Sequence, residues 1–330
     1  MSNARLDQAP GPLWMRALAA VVARLPFRWL RSLGSALGFL AGSVLRIRRK
    51  HVEASLESAG IAPSGSIARG MYASLGAGIF ELLWLAGRPP DALAPLFTID
   101  PACGDAVRRA AALGRGVVLA TAHTGNWDLS ACAAAQWITR ECGGARLHVV
   151  TKRLSWRALD RYWQRLRAER GVVLAGAIGA AAHVRDALAV GDFTAMLIDQ
   201  VPERGSGVGI FPFLGAPALH DLGPALLAAR CRAPLLLVLG HREPDGRHRI
   251  ELAAAIDPEE LRGSGAIERA TAKMTAALEG FVRAHPAQWL WLHRRWKNVD
   301  AAGAGARRRG GPRKLDQSLA STGVVAVPRA

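Results

Sequence analysis

The chain has 330 residues and a formal net charge of +17 at pH 7, with half of its residues hydrophobic and 21% charged. This length and apolar content suffice to bury a large core, which excludes intrinsic disorder of the whole chain. The basic excess predicts an anionic partner: nucleic acid, an anionic membrane, or an acidic carrier or substrate. The four cysteines, Cys103, Cys132, Cys142 and Cys231, form no CxxC pair, which favours reduced thiols over a disulfide framework or a structural zinc site.

Basic and apolar residues alternate in the N-terminal segment, residues 1–50. Nine Lys or Arg and one acid, Asp7, occur up to His51, and the uncharged stretch 32–45 holds fourteen residues. A helix needs about 20 apolar residues to cross the hydrocarbon core of a bilayer. We therefore predict a helical segment that lies in the membrane interface with its arginines near lipid phosphates, rather than a spanning helix or a cleaved signal peptide. An amphipathic core helix with a solvated basic face is the alternative.

Residues 51–300 alternate between short apolar runs and helical patterns. The runs are rich in Val and Leu, which is typical of buried strands, and several of the helical segments end at glycine. Repeated strand–helix units predict an α/β domain with a mainly parallel sheet flanked by helices, and with function at the carboxyl ends of the strands. The predicted strands are 116–123, 147–152, 172–175, 193–199 and 234–240, the predicted helices are 124–138, 158–171, 180–192, 221–233 and 267–285, and 241–252 is a predicted hairpin.

The composition changes beyond residue 300. Gly, Ala, Arg, Pro and Ser dominate residues 301–330, which leaves almost nothing to pack and predicts a flexible basic tail. The sequence thus predicts three regions: a membrane-associating segment (1–50), an α/β domain (51–300) and the tail (301–330).

The most informative motif is His-Thr-Gly-Asn-Trp-Asp, residues 123–128, at the end of the first predicted strand. Gly125 allows a tight turn, Asn126 suits the N-cap, and Asp128 falls in the first helical turn, so the turn can bring His123 and Asp128 together. A carboxylate on one imidazole nitrogen fixes the tautomer and leaves the other nitrogen as a base for a hydroxyl. Helix amides nearby can help to hold a developing oxyanion.

This motif supplies a base and its orienting partner but no nucleophile. Such a pair suits direct attack of a substrate hydroxyl on an activated acyl group. A His and an Asp five residues apart also arise by chance, so the prediction depends on the strand–turn–helix context. The rival patterns GxSxG, HExxH and GxxxxGK[ST] do not occur in the chain.

Residues 122–128, AHTGNWD, resemble the HxGNWE/D block of the lipid A biosynthesis acyltransferases of the lauroyl/myristoyl type, within the lysophospholipid acyltransferase superfamily. HPAQWLWLHRRWK at 285–297 is the most distinctive further match, and the resemblance covers about residues 30–298. It implies a glycerol-3-phosphate acyltransferase-like fold, an acyl carrier protein thioester as donor, and a phosphorylated glucosamine lipid as acceptor. It also implies a location on the cytoplasmic face of the inner membrane and no metal or other cofactor. The other blocks that match in order are 159–171, 197–217 and 222–238.

The resemblance assigns His123 as catalytic base and Asp128 as its partner, and it places Arg167 and Asp199 in the substrate site. A solvated basic face is the alternative for Arg167, and a simple strand-end turn is the alternative for Asp199. The full predicted substrate-binding set is Gly125, Asn126, Lys152, Arg167, Asp199, Arg204 and Arg294, with no metal ligand.

Within this set, the basic residues have one expected task, which is to bind phosphates or the acidic carrier. Lys152 and its neighbour Arg153 form a phosphate clamp or, alternatively, a solvated face. Arg204 lies in a glycine-flanked loop and is the weaker phosphate candidate. Arg294 and Arg295 are expected to point toward phosphates or the carrier.

Two further groups stand out in apolar runs. The predicted role of Trp289, Trp291 and Trp296 is packing, with placement at the membrane interface as the alternative. Glu81, within IFELLWL, is expected to be a buried or edge carboxylate with a partner, and the sequence assigns it no role in the reaction.

The sequence departs from the family pattern at three places. Lys152 replaces an arginine and so lacks the planar fork that suits phosphate or carboxylate. Val201 replaces the second acid of a DQD-like block, and residues 220–222, His-Asp-Leu, replace a threonine-rich stretch. These departures leave the acyl-transfer residues intact and leave the acceptor open.

Three functions follow as hypotheses. The favoured one is an acyl-carrier-dependent O-acyltransferase that acts on a lipid A precursor. The second is acylation of another membrane acceptor, such as a lysophospholipid or a glycolipid. The third is a catalytically inactive homologue that binds membrane or nucleic acid. Nucleic acid is disfavoured because the Trp residues lie in apolar runs instead of alternating with basic residues along a reading surface.

Overall fold

The computed structural model describes residues 12–151, 156–202, 207–297 and 299. Its first part consists of helices that pack on one another. Helix α2 (Phe27–Phe39) crosses α4 (Ser64–Ala86) so closely that a Cβ on Gly34 would lie 2.1 Å from the backbone nitrogen of Ala77, and only glycine fits there. The remaining elements of this part are α1 (Leu13–Val22), a π-helical turn that extends α2 (Leu40–Val44), and α3 (Arg49–Ser58).

A seven-stranded sheet forms the centre of the fold. Its strands are β1 (Phe97–Ile99), β2 (Val117–Thr121), β3 (Leu147–Thr151), β4 (Val172–Gly176), β5 (Phe193–Leu197), β8 (Leu235–Arg242) and β9 (His248–Ile256). Their order is β1-β9-β8-β2-β5-β3-β4. The five strands from β8 to β4 are parallel, whereas β9 pairs antiparallel with β8 and parallel with β1. A separate antiparallel pair is formed by β6 (Val208–Phe213) and β7 (Ala216–Asp221).

Helices cover both faces of this sheet. Alternate side chains of β2 point to opposite layers: Val117 and Leu119 to one, Val118 and Ala120 to the other. The first layer contains α5 (Pro101–Ala112), α6 (Trp127–Glu141) and α7 (Arg157–Glu169), and the second contains α8 (Ala180–Ala189), α9 (Gly223–Cys231) and α10 (Ala266–Ala284).

The predicted fold class is confirmed as a mixed α/β fold with a mostly parallel sheet between helices. All five predicted strands and the hairpin exist, with ends that shift by a few residues. The sequence missed β1 and the β6–β7 pair, because these strands are short or lack a clear apolar alternation. The predicted tail, 301–330, lies outside the described residues.

The described part of the N-terminal segment, residues 12–50, is helical and packs against α4, and the described residues up to Lys297 cluster as one compact unit. Among the described residues, no helix combines the length and the apolar character that crossing a membrane requires. Many large apolar side chains of the segment are nevertheless exposed: Leu13, Trp14, Leu18, Val21, Trp29, Leu33, Phe39, Leu40, Val44, Leu45 and Ile47. Membrane association of this segment stays a prediction.

Candidate active site

The turn after β2 carries the predicted motif and lies against β8. Gly125 has a φ of +55°, and a Cβ on it would lie 2.8 Å from the Gly240 carbonyl oxygen, so the turn requires glycine. Asn126 caps α6, because its side chain accepts a hydrogen bond from the Leu129 amide at 3.2 Å. The predicted glycine turn and asparagine cap are therefore confirmed, whereas substrate contacts of Gly125 and Asn126 stay predictions.

The carboxylate hydrogen-bonded to His123 belongs to Asp199, two residues beyond β5. Its Oδ1 lies 2.9 Å from His123 Nδ1, and its Oδ2 accepts the His123 backbone N–H at 3.0 Å and the Trp289 indole N–H at 2.9 Å. The carboxylate is fully buried. Burial alone would raise the pKa of Asp199, but the charge of His123 and these donors outweigh burial and lower the pKa to about 2.

The same contact sets the protonation of His123. Burial disfavours the charged imidazole, but the charge and hydrogen bond of Asp199 outweigh it, so the pKa of His123 is raised above its usual value. Asp128 adds a smaller attraction in the same direction. With Nδ1 held by a carboxylate, Nε2 is the nitrogen left to accept a proton.

Two sequence predictions need correction here. Asp128, predicted as the hydrogen-bonded partner of His123, instead accepts a hydrogen bond from Arg167 Nε at 2.9 Å and an ion-pair contact from Arg167 Nη2. Asp199, predicted to bind substrate, is buried behind the imidazole. The physical reason is topology: β5 runs parallel to β2, so the residues after both strands meet at one sheet edge, while the first turn of α6 points its acid toward α7.

A buried ion pair supports the turn from the other side. Arg242, at the end of β8, donates from Nε to Glu81 Oε1 and from Nη2 to Glu81 Oε2, both at 2.8 Å. Glu81 Oε2 also accepts from Asn126 Nδ2 at 2.9 Å. Burial opposes ionisation of Glu81, but Arg242, followed by His248, outweighs it and holds the pKa of Glu81 well below its usual range. The expectation that Glu81 is buried and partnered is confirmed, and it connects α4 to the active-site turn.

The segment after α10 closes over the same turn. A short 3₁₀ helix, Pro286–Gln288, places the Gln288 carbonyl oxygen 2.8 Å from the Gly125 amide, and the Leu290 amide donates to the His123 carbonyl oxygen at 3.1 Å. Between these bonds, Trp289 forms a bridge with Thr124 and directs its indole at Asp199. The distinctive 285–297 block is thus part of the scaffold of the turn.

Two polar side chains lie at the Nε2 side of His123. The Gln200 side-chain amide nitrogen lies 3.2 Å from His123 Nε2 and 2.9 Å from His293 Nε2, and the two imidazole rings are 5.2 Å apart. Burial, followed by the charge of His123, lowers the pKa of His293. The sequence missed both residues as site residues. Gln200 follows Asp199 directly and His293 belongs to the 285–297 block, so both stood within blocks already recognised.

The remaining predicted residues are more scattered. Arg167 is bound to Asp128 close to the turn, whereas Arg294 is exposed at the end of the described C-terminal segment. Lys152, Arg153 and Arg204 lie outside the described residues.

Arg295 differs from its neighbour and from expectation. It is 1% exposed and donates to the Leu219 carbonyl oxygen at 2.6 Å and to the His220 ring at 3.0 Å, so it does not point toward an external ligand. Trp289 and Trp291 are buried in the core, as their packing role predicted, which argues against the membrane-interface alternative for these two.

The arrangement defines a class of protein: an α/β fold with a histidine base at the carboxyl edge of a parallel sheet, oriented by a buried carboxylate and lacking an adjacent serine or cysteine nucleophile among the described contacts.

The chain belongs to the bacterial lipid A biosynthesis acyltransferase family, whose model matches residues 12–298. It is also similar to the phosphatidylinositol mannoside acyltransferase of Mycolicibacterium smegmatis (strain ATCC 700084 / mc(2)155), with 28% identity over 186 residues. That match covers 56% of this chain and 57% of the relative, so it spans little more than half the length of each protein.

Proposed function

We propose that this protein is an O-acyltransferase in which His123 deprotonates an acceptor hydroxyl that attacks an acyl thioester directly. The observation that carries the proposal is the buried Asp199 on Nδ1, which leaves Nε2 as the basic nitrogen. The donor in this proposal is acyl carrier protein thioester, and the acceptor is a lipid A precursor on the cytoplasmic face of the inner membrane.

The surroundings of Nε2 support a hydroxyl substrate. The amide nitrogen of Gln200, 3.2 Å from Nε2, stands where a hydroxyl donor would stand in the reaction. During attack the hydroxyl proton moves to Nε2, the alkoxide oxygen bonds to the thioester carbonyl carbon, and the carrier thiolate leaves and takes up that proton. Between attack and departure of the thiolate, the first-turn amides of α6 stabilise the oxyanion of the tetrahedral intermediate.

The outer surface supports a membrane acceptor. The exposed apolar side chains of α1, α2 and the π-helical turn are accompanied by Arg24, Arg28, Arg31 and Arg46, a combination that suits the interface of an anionic bilayer. Arg167, tied to Asp128 beside the turn, is a cation that would suit an acceptor phosphate.

The test is acyl transfer by membranes that carry wild-type protein or His123→Ala, supplied with acyl carrier thioester and a lipid A precursor. We expect the variant to lose about 10²–10⁴-fold in rate, the usual contribution of a general base. His183→Ala, at a half-buried histidine of α8, is the matched control and should retain the wild-type rate. Transfer by His123→Ala at the control rate would refute the mechanism.

A second acceptor class has its own support. The similar mycobacterial protein is a phosphatidylinositol mannoside acyltransferase by name, and the departures at Lys152, Val201 and residues 220–222 bear on acceptor choice. Under this alternative the same chemistry acylates another phosphorylated glycolipid or a lysophospholipid. Mass spectrometry of lipids from a deletion strain separates the two, because unchanged lipid A acylation excludes the first acceptor.

A further inference from the structure

We propose that His241, Glu251 and His285 form a binding site for a divalent transition metal such as zinc. Each residue offers one ligand atom, and these three atoms lie within 4.8 Å of one another. His241 and Glu251 come from neighbouring strands, β8 and β9, and His285 follows the last residue of α10. Two imidazoles and one carboxylate are a ligand set that zinc accepts in proteins.

The strand register brings the first two ligands together. Glu251 pairs with Leu239, and Arg249 pairs with His241, so His241 and Glu251 project from the same face of the β8–β9 ladder. The positive charge of Arg249 is balanced, since its Nε donates to Glu243 at 2.6 Å and its Nη1 lies 3.4 Å from Asp100.

His285 completes the set from the helix layer that packs on this face of the sheet, because it follows α10, whose Phe281 contacts His241. Its ring stacks on His241, with centroids 4.1 Å apart and planes at 16°. Metal–ligand bonds of about 2.0–2.1 Å place the ligands of a tetrahedral zinc roughly 3.3 Å apart. His285 and Glu251 are half-buried, so small rotations of their side chains can close the remaining gap.

An independent observation also points to a ligand. His241 is only 9% exposed, and its Nδ1 is buried without a hydrogen-bond partner among the described residues. A buried polar nitrogen without a partner is destabilising, and a metal ion would satisfy it.

The location suggests what the metal would do. The backbone of Gly240 and His241 lies against the turn at Gly125, and His285 directly precedes the 3₁₀ helix whose Gln288 holds the Gly125 amide. A metal at this site would therefore join the two elements that clamp the active-site turn, from outside the reaction centre. This inference does not depend on the proposed acyl transfer.

The test measures zinc binding by the purified full-length protein. After equilibration with Zn²⁺ and removal of free metal, we expect about one zinc per chain, and an increase in Tm of a few degrees because the ligand binds only the folded state. His285→Ala and the isosteric Glu251→Gln should each lower zinc affinity at least tenfold. His183→Ala, from the tilted His148–His183 ring pair on the other side of the sheet order, is remote from these ligands and should bind like wild type.

The Glu251→Gln variant controls for misfolding as a cause of lost zinc binding, because its Tm without zinc should match that of the wild type. Amide hydrogen exchange at residues 122–126 and 286–289 supplies a second readout and should slow when zinc binds. Failure of the wild type to retain zinc, or wild-type retention of zinc by both ligand variants, would overturn the site. Unchanged exchange with zinc bound would overturn its role as a clamp.

Discussion

Two buried histidine–aspartate pairs flank the same strand, β5, and only one of them has the environment of a catalytic base. Asp199 follows β5 and holds His123 Nδ1 at 2.9 Å, whereas Asp192 precedes β5 and holds His148 Nε2 at 2.8 Å. Both aspartates are nearly or fully buried. The pairs therefore differ in their surroundings rather than in their internal geometry.

The second nitrogen of each imidazole, the one that does not contact the aspartate, accounts for much of the difference between the pairs. His123 Nε2 faces the carboxyl edge of the sheet, where ligands bind in open α/β folds, and its neighbour there is the amide of Gln200. His148 Nδ1 is 2.8 Å from His183 Nε2, at the opposite edge.

The cations around the two carboxylates differ as well. Asp192 also accepts bonds from the backbone and side chain of Arg146, whereas the other donors to Asp199 are the backbone amide of His123 and the indole of Trp289. A buried His–Asp pair is thus a base only where its second nitrogen is presented to a substrate.

The largest effect should come from exchanging each histidine for glutamine. We expect His123→Gln to lower acyl transfer by about 10²–10⁴-fold, because the variant loses the base, and to lose about 1–3 kcal/mol of unfolding free energy, because the buried Asp199 loses a partner. His148→Gln should keep its turnover and lose about 1–3 kcal/mol of unfolding free energy, because a buried carboxylate loses a partner. Initial rates and urea unfolding measure both. Similar rate losses in the two variants would contradict the distinction between the pairs.

The surroundings of the two histidine–aspartate pairs should also differ in how strongly ion pairs stabilise the fold there. Glu81→Gln breaks the buried pair with Arg242, whose side chains are 2% and 6% exposed, so we expect a loss of about 3–5 kcal/mol. Arg146→Gln removes an ion-pair partner of Asp192. Because the Arg146 side chain is 60% exposed, we expect a loss of only about 0–1 kcal/mol of unfolding free energy. Chemical denaturation at pH 7 provides the comparison. Equal losses would mean that the active-site edge is no more dependent on its buried charges than the opposite edge.

The pH profile should separate the aspartates. Asp199 raises the pKa of His123, and the base works only when neutral, so activity should fall as pH drops through that raised pKa. Asp199→Asn removes this effect: we expect a rate roughly 10²-fold lower and an acid limb displaced to lower pH. Rate–pH profiles of kcat/KM measure the displacement.

Asp192→Asn is the control, and its acid limb should coincide with that of the wild type. The pKa of Asp192 is lowered in the folded protein despite burial, through the Arg146 amide and His148. Its contribution to stability is therefore present above the unfolded carboxyl pKa and lost as pH falls through the folded one. The variant should lack this contribution at neutral pH. An acid limb that moves in Asp192→Asn, or stays in place in Asp199→Asn, would contradict the conclusion that Asp199 is the carboxylate that raises the pKa of the base.

The sequence predicted the sheet, the glycine turn and the position of His123 at the strand end because those features are local: apolar runs of strand length, and a His-x-Gly-Asn motif at a strand end. The carboxylate on His123 could not be derived in the same way. Asp199 is 76 residues away along the chain, and its proximity depends on β2 and β5 being neighbours in the sheet order. Glu81 and Arg242 show the same limit, since a buried pair 161 residues apart leaves no periodic signal.

The smallest expected effect is a loss of kcat on removal of the Trp289 indole N–H, a donor to Asp199 that is not among the described donors to Asp192. Trp289→Phe removes the N–H donated to Asp199 Oδ2 at 2.9 Å but keeps an aromatic ring against Phe213 and Trp291. We expect kcat to fall by less than about 10-fold with KM unchanged, because the indole orients a positioning group and does not touch substrate. Steady-state kinetics on the purified protein measure the two constants separately.

Trp291→Phe is the matched control, since its indole donates at 2.7 Å to the neutral carbonyl of Pro286 rather than to Asp199. The two variants lose similar buried volume, so any difference in kcat reports the hydrogen bond to the carboxylate. Without the indole, Asp199 loses one donor that favours its charged form, so the pKa of Asp199 should rise. Equal kcat values in the two variants would show that backbone and histidine contacts alone orient Asp199, and that the indole acts only through packing.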